Sequence, residues 1–505
     1  IIAAGQRIMT GLAGTKTDRG FINAVKQYKI GNYILFSNNI ESAAQLKTLC
    51  KELKDIAVSE TGHIPFISAD QEGGRVQRLP KSVIDTPSAR EIAQGGNAEE
   101  AFLTGKRIGE AMREMGLNYD LAPVVDVESV CGNPAIGSRS FGTDAATVAR
   151  FGAEMARGIQ AAGVMACAKH FPGHGDTAVD SHLGLPRVDK TEEALEQLEL
   201  IPFRRAIEAG VPAIMMSHVL FPNIEPEQVP CTMSRRMVTG LLKQKLGFRG
   251  LILTDCMEMG AIRDYYGTPE GVVASIKAGV DLAEISSAFD LELAAAKAVN
   301  EAAERGEFDV EEIRASVEKI LCYKKMLAAQ AEPGLCNQPE DRRAAESMAR
   351  QAISQISGTP FRADENTFFC GCADYRVTQA ANDSTDSLPF AEYMHRRFGG
   401  KYVTCPLDPD APEIARIVES AKGCGSIIMS TCNAHIYEGQ LALARALAAS
   451  GHDMTVAALR NPYDLAMLPR GIHRVAAWDY TADSLAALSE VFSGGECGGV
   501  MPVRL

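Results

Sequence analysis

The sequence predicts an α/β protein: a (β/α)8 TIM-type barrel followed by a smaller αβα sandwich domain. Three observations predict it. Eight short apolar, β-rich runs alternate with longer helix-patterned segments over the first 330 residues. Their starts recur about every 39 residues, the length of one strand-plus-helix unit. Beyond a stretch bearing Pro and Gly, the alternation restarts with shorter units.

Taken in order, strands are expected at 6–12, 32–36, 65–70, 118–123, 164–169, 212–217, 250–255 and 279–285. Most are apolar throughout, as parallel strands are when both faces are covered. Helical patterns fall between them at 98–114, 145–162, 191–209 and 234–246. A doubly wound open sheet has the same signature, because counting strands does not reveal closure. The barrel is assigned to 1–330, a linker to 331–345 and the second domain to 346–505. The linker follows from the run AAQAEPGLCNQP at 328–339, with two Pro, one Gly and small polar residues. In the second domain, strands are expected at 367–372, 401–406, 426–432, 454–459 and 474–480. Helices are expected at 389–398, 413–422, 438–450 and 483–493.

Composition narrows the function. The 505 residues are 46% apolar and 23% charged, ordinary for a globular chain and unlike a disordered, collagenous or disulfide-stapled one. The formal net charge of −13 argues against nucleic acid as a partner, since phosphate binding needs clustered positive charge. No apolar run approaches the ~20 residues of a membrane span. The opening Ile1-Ile2-Ala3-Ala4-Gly5-Gln6-Arg7 does not read as a secretory signal, and the absence of an initiator Met suggests missing residues or a processed leader. The 13 cysteines are scattered, many in strand-like runs (Cys167, Cys256, Cys405, Cys432), and Cys370 and Cys372 lack the C-x-x-C spacing. They read as reduced core residues in a cytoplasmic protein.

In a barrel of this kind, chemistry belongs at the C-terminal ends of strands. Four expected strands end in reactive types: Asp70-Gln71-Glu72-Gly73-Gly74-Arg75, Lys169-His170-Phe171-Pro172-Gly173-His174, Ser217-His218 and Thr254-Asp255. A single strand-terminal Asp commonly does no more than cap the next helix. The concentration after the fifth strand is harder to dismiss, because three of the nine His fall within 169–182. His170, His174 and His182, with Asp176 or Asp180, have a metal-ligand reading. Pro172 weakens it by breaking the helix that would align the first two, and no metal or cofactor is expected. Acid–base chemistry fits better. Asp180 lies two residues before His182, and a carboxylate beside an imidazole fixes its tautomer and raises its proton affinity. Asp255 is then the candidate nucleophile, and the set suits a retaining glycosidase with His in place of the usual acid/base carboxylate. No G-x-S-x-G elbow, no strand-borne G-x-G-x-x-G and no Walker loop occurs.

These residues also form a recognisable set. Lys169-His170-Phe171-Pro172-Gly173-His174-Gly175 with Asp180-Ser181-His182 closely resembles the signature of glycoside hydrolase family 3, in its β-N-acetylglucosaminidase branch. Gly5 to Met9 with Gly11 and Gly14-Thr15 is similar to that family's first strand. Asp70 to Leu79, Arg139-Ser140-Phe141-Gly142 and Gly247 to Met259 resemble its later landmarks, so the match spans 5 to about 285. The second half is similar to the family's αβα domain, at Asn461-Pro462-Tyr463-Asp464-Leu465 and Met501-Pro502-Val503.

The resemblance implies Asp255 as nucleophile, His182 as general acid/base and Asp180 as its dyad partner. It implies Asp70, Arg78, Arg139, Lys169 and His170 as the ligands of a terminal N-acetylglucosamine. The expected activity is a retaining exo-β-N-acetylglucosaminidase (β-N-acetylhexosaminidase) acting on a small GlcNAc-containing carbohydrate, a muropeptide of peptidoglycan recycling or a chitooligosaccharide. The alternatives are a relative acting as a phosphorylase or a β-glucosidase. Oligomeric state and the second domain's role are left open by the sequence.

Overall fold

A computed structural model describes residues 2–130, 133, 135–177, 185–286, 289–330, 339–360, 362–375 and 388–499. All eight expected barrel strands form, each but β5 shorter than its apolar run: β1 (Ile8–Thr10), β2 (Asn32–Ile34), β3 (Phe66–Ala69), β4 (Tyr119–Asp120), β5 (Met165–Phe171), β6 (Ala213–Met216), β7 (Leu251–Thr254) and β8 (Ala283–Ile285). The ladder runs β7-β6-β5-β4-β3-β2-β1-β8 with every pair parallel. Thr254 N donates to Leu282 O (3.0 Å) and Leu282 N to Ile252 O (3.1 Å), so the β7 and β8 edges meet and the sheet closes on itself. That closure rules out the doubly wound alternative.

The barrel interior is packed, not hollow. Met9, Ile34, Phe66, Tyr119, Met165, Cys167, Met215 and Leu253 form one buried cluster, alternating along their strands with residues that face the outer helices. The helix Val310–Ala328 closes its N-terminal end by adding Ile320, Tyr323 and Leu327 to that cluster. From the same helix, Lys324 is buried over the Phe66 ring and donates to Gln6 Oε1 (2.6 Å) and Gly31 O (2.8 Å). Burial pushes its ammonium well below its usual proton affinity. One end of the barrel is thus plugged, which leaves the C-terminal mouth for chemistry.

The expected helix at 191–209 divides into Glu192–Gln197 and Leu200–Glu208. Pro202 explains the break: it has no N–H for the Leu198 carbonyl, and its ring crowds that oxygen. The segment at 234–246 forms a π-helix over Arg236–Lys245. Eleven described cysteines are free thiols, seven of them buried, in keeping with reduced core residues.

The second sheet runs β11-β10-β12-β13-β14-β9. Its strands are β9 (Ser354–Ser357), β10 (Thr367–Cys372), β11 (Lys401–Cys405), β12 (Ser426–Thr431), β13 (Asp453–Ala458) and β14 (His473–Ala476). All pair in parallel except β9, an antiparallel edge strand that the sequence reading lacked. The helix Pro339–Ala352 occupies part of the interval read as linker. It packs Met348 into the barrel's core and Ala349 and Ala352 into the second domain's core, joining the two.

Truncating the plug tests this packing. Ile320→Ala is expected to cost about 2–5 kcal/mol by leaving a cavity among Met9, Phe66 and Leu253. Urea unfolding followed by fluorescence and circular dichroism reads the loss as a lower midpoint.

Candidate active site

Parallel strands ending side by side bring distant sequence segments to one rim. The segments after β3, after β4, at the end of β5 and after β7 meet at the C-terminal mouth. Lys169 sits at the centre. Its Nζ lies 2.7 Å from Asp70 Oδ1 and 2.7 Å from Glu72 Oε1. Arg139 binds Glu72 with two parallel bonds, Nε to Oε2 at 2.8 Å and Nη2 to Oε1 at 2.7 Å. Arg78 Nη2 lies 3.3 Å from Asp70 Oδ2. Three cations and two carboxylates therefore form a paired, buried cluster.

The cluster continues through His170. Asp126 Oδ2 lies 2.7 Å from its Nδ1, and Arg139 Nη2 lies 3.5 Å from its Nε2. A carboxylate only accepts, so this arrangement places a proton on Nδ1. Asp126 also accepts the His174 backbone N–H at 2.7 Å, and Thr177 Oγ1 lies 2.9 Å from His174 Nδ1. The two imidazoles meet edge to face, 5.7 Å apart. Among the described residues, no group of three or more His, Cys, Asp or Glu is placed to hold a metal ion.

The electrostatics follow from these contacts. Burial alone would raise the Asp70 carboxyl, but Lys169 and Arg78 outweigh it and hold it below the usual range. Glu72 is lowered likewise, against burial, by Arg139 and Lys169. Burial and the neighbouring His170 push His174 down to about 4, so its ring is neutral near pH 7. Two acids below the rim behave oppositely. Burial drives Asp120 and Glu284 well above the carboxylate range, and the charges of Asp70 and Asp255 add to the effect on Glu284.

Asp255 stands across the mouth, directly after β7. Its backbone N–H donates to Met216 O (3.1 Å), and its Oδ1 accepts from Cys256 N (2.8 Å). His218 holds the next carbonyl, with Nε2 2.9 Å from Cys256 O and Nδ1 3.0 Å from Thr232 Oγ1. The following helix, Gly260–Arg263, begins after Met259, so Asp255 is not its N-cap. Strands β5 and β7 run parallel in the closed barrel, so Asp255 leaves it at the same C-terminal rim as Lys169 and His170.

Of the residues singled out in the sequence, Asp70, Arg78, Arg139, Lys169 and His170 come together, and Asp255 faces them. Asp180 and His182 lie outside the described residues. Glu72 and Asp126 were not among the sequence candidates. Glu72 lay within the quoted Asp70–Arg75 run, and Asp126 is a carboxylate inside an apolar strand extension, Val124-Val125-Asp126-Val127. Asp70 is the most open member of its cluster, its side chain 16% exposed against 2% for Lys169 and 5% for Glu72. A polyol entering the mouth therefore meets a carboxylate acceptor first, backed by a cation. The arrangement suits sugar hydroxyls, with a second carboxylate opposite.

Comparison with known proteins accords with this geometry. The family model for the glycosyl hydrolase family 3 N terminal domain matches residues 6–322. Beta-hexosaminidase A of Pseudoalteromonas piscicida is 32% identical over 363 residues, 66% of this chain and 60% of that protein. The chain thus spans less than two thirds of that relative's length. A beta-hexosaminidase of Stenotrophomonas maltophilia is 34% identical over 281 residues, 54% of this chain and 82% of that one. Among solved structures, a glycoside hydrolase family 3 beta-N-acetylglucosaminidase from Paenibacillus sp. str. FPU-7 superposes with a TM-score of 0.93 at 35% identity. It covers 100% of this chain and 98% of that one. A beta-glucoside phosphorylase, BglX, shares the fold at a TM-score of 0.80 and 18% identity.

The cluster makes a prediction about pH. A carboxyl lowered on folding contributes stability that is full above its unfolded pKa, about 4.3 for Glu, and lost as pH falls toward its folded value. Glu72→Gln is therefore expected to lower stability by about 3–5 kcal/mol at pH 7, because it strands Lys169 and Arg139. Urea midpoints for wild type and variant are expected to converge as pH is lowered below about 4.

Proposed function

Because the chain belongs to glycosyl hydrolase family 3, we propose that it is a retaining exo-β-N-acetylglucosaminidase that removes a terminal, non-reducing β-linked N-acetylglucosamine. The observation that carries the reading is the shared mouth: Asp255 after β7 opposite the Asp70–Lys169–Arg139–His170 cluster. The names of the relatives support the same sugar.

In this reading the cluster fixes the sugar ring so that its anomeric carbon faces Asp255. The Asp255 carboxylate attacks that carbon and displaces the glycosidic oxygen. His182, oriented by Asp180, gives that oxygen its proton. The result is a covalent glycosyl-enzyme with inverted configuration and a neutral His182. Neutral His182 then takes a proton from water, whose oxygen attacks the same carbon and releases Asp255, giving net retention. His174, kept neutral by burial, adds no charge beside the reacting centre. The aglycone is best matched to a muropeptide of peptidoglycan recycling, on the reading that scattered reduced cysteines mark a cytoplasmic protein. No helix of the described residues is long and apolar enough to cross a membrane.

Three outcomes check this. Asp255→Ala is expected to abolish turnover of an aryl N-acetylglucosaminide. A fluorosugar trap is expected to add its mass to the peptide containing Asp255, and an adduct elsewhere contradicts the assignment. His182→Ala is expected to slow substrates with poor leaving groups far more than activated aryl ones, because only the former need the proton. Equal losses on both, read from kcat/KM, contradict the acid/base role. Sugar 1-phosphate formed in phosphate buffer would identify the phosphorylase alternative instead.

A further inference from the structure

Arg139 is carried by a short loop, residues 135–140, containing a single turn over Gly137–Arg139. Two buried arginines of the barrel hold the loop's backbone. Arg75 Nη2 donates to Ala135 O (3.2 Å) and Ile136 O (2.9 Å). Arg90 donates from Nη2 to Gly137 O (3.2 Å) and from Nε to Ser140 O (3.0 Å). Arg139 folds its own Nη1 back onto Ala135 O at 3.0 Å, so its guanidinium is referenced to the carbonyl that Arg75 holds.

The second domain backs each of these supports. The Trp478 ring lies 6.0 Å from the Arg90 guanidinium. Asp479 presses on the residue before Arg75: a Cβ added to Gly74, whose φ is +55°, would lie 2.6 Å from Asp479 Oδ2. Asn461 lies against the loop itself, where a Cβ on Gly137 would be 3.0 Å from its Oδ1. Burial, Arg460 and Arg139 lower the Arg75 guanidinium to about 10, and Asp479 and Glu72 act against them. Asp479 thus lies against the backbone beside Arg75 from across the interface; burial raises its carboxyl, and Arg460 and Arg75 act against that rise. Asn461 follows β13, and Trp478 and Asp479 follow β14. These are the C-terminal ends of parallel strands, where open α/β sheets present their functional groups.

We propose that Arg75 and Asp479 are positioning residues, through which the second domain clamps the 135–140 loop and fixes the guanidinium of Arg139 against the sugar. Neither touches substrate. The kinetic consequence rests on the reading of Arg139 as a sugar ligand; the clamp itself does not.

The test uses the full chain with Arg75→Ala, Asp479→Ala and Met348→Ala. Met348 lies in the same interdomain contact but away from the loop. Turnover of an aryl N-acetylglucosaminide by wild type is measured first. Arg75→Ala and Asp479→Ala are expected to raise KM about tenfold with kcat changed by less than about threefold. They are also expected to speed hydrogen exchange in the peptide spanning 135–142. Met348→Ala is expected to lower the thermal midpoint while leaving KM and that exchange unchanged. The proposal is overturned if Asp479→Ala leaves both KM and loop exchange at wild-type values, or if Met348→Ala moves them equally. If wild type does not turn over the substrate, the functional reading fails, and the exchange comparison alone decides the clamp.

Discussion

Lys169 holds one positive charge between two carboxylates, each 2.7 Å away, inside a barrel mouth from which water is largely excluded. Breaking such a buried pair costs about 3–5 kcal/mol, so each member locks the others in place. Asp70 is kept ionised for a ligand by Lys169 and Arg78. Glu72 is kept ionised for Arg139, and Arg139 in turn borders His170. The site is therefore organised before any ligand arrives, which keeps the ordering cost of binding small.

The same economy of charge extends below and beside the cluster. Burial pushes the Asp120 and Glu284 carboxyls well above the carboxylate range, which disfavours further negative charge beside Asp70 and, at Glu284, beside Asp255. Helix Val310–Ala328 seals the opposite end with apolar side chains and a single buried lysine. Both domains meet at the mouth. Ser484 Oγ donates to Glu91 Oε1 (2.9 Å) across the interface, next to the arginine that holds the Arg139 loop. The second domain thus borders the site physically, a point on which its sequence was silent.

The barrel was legible because its strands are buried on both faces and so are written as uninterrupted apolar runs, such as 164–169 and 250–255. Their C-terminal positions then pointed to Asp70, Lys169, His170 and Asp255 before any coordinates. Strand β9 was not legible: Ser354–Ser357 offers one Ile among polar residues, and only pairing with β14 makes it a strand. The break near Leu198 was readable in Pro202 but was outweighed by the helical pattern around it. Glu72 and Asp126 were missed because their partners, Arg139 and His170, lie 67 and 44 residues away. No local pattern carries such pairings, and closure of the barrel alone creates them. The contacts of Asn461 and Asp479 with the barrel depend on how two finished domains dock, which is further still from local sequence.

The central claim is that a preformed charge cluster presents a sugar to Asp255. The crystal structure of the protein soaked with N-acetylglucosamine tests it most directly. The account predicts the ring hydroxyls within hydrogen-bond distance of Asp70, Lys169 and Arg139, with the anomeric carbon within about 3.5 Å of an Asp255 oxygen. A sugar bound with its anomeric carbon turned away from Asp255, or held without any of the three, would contradict it.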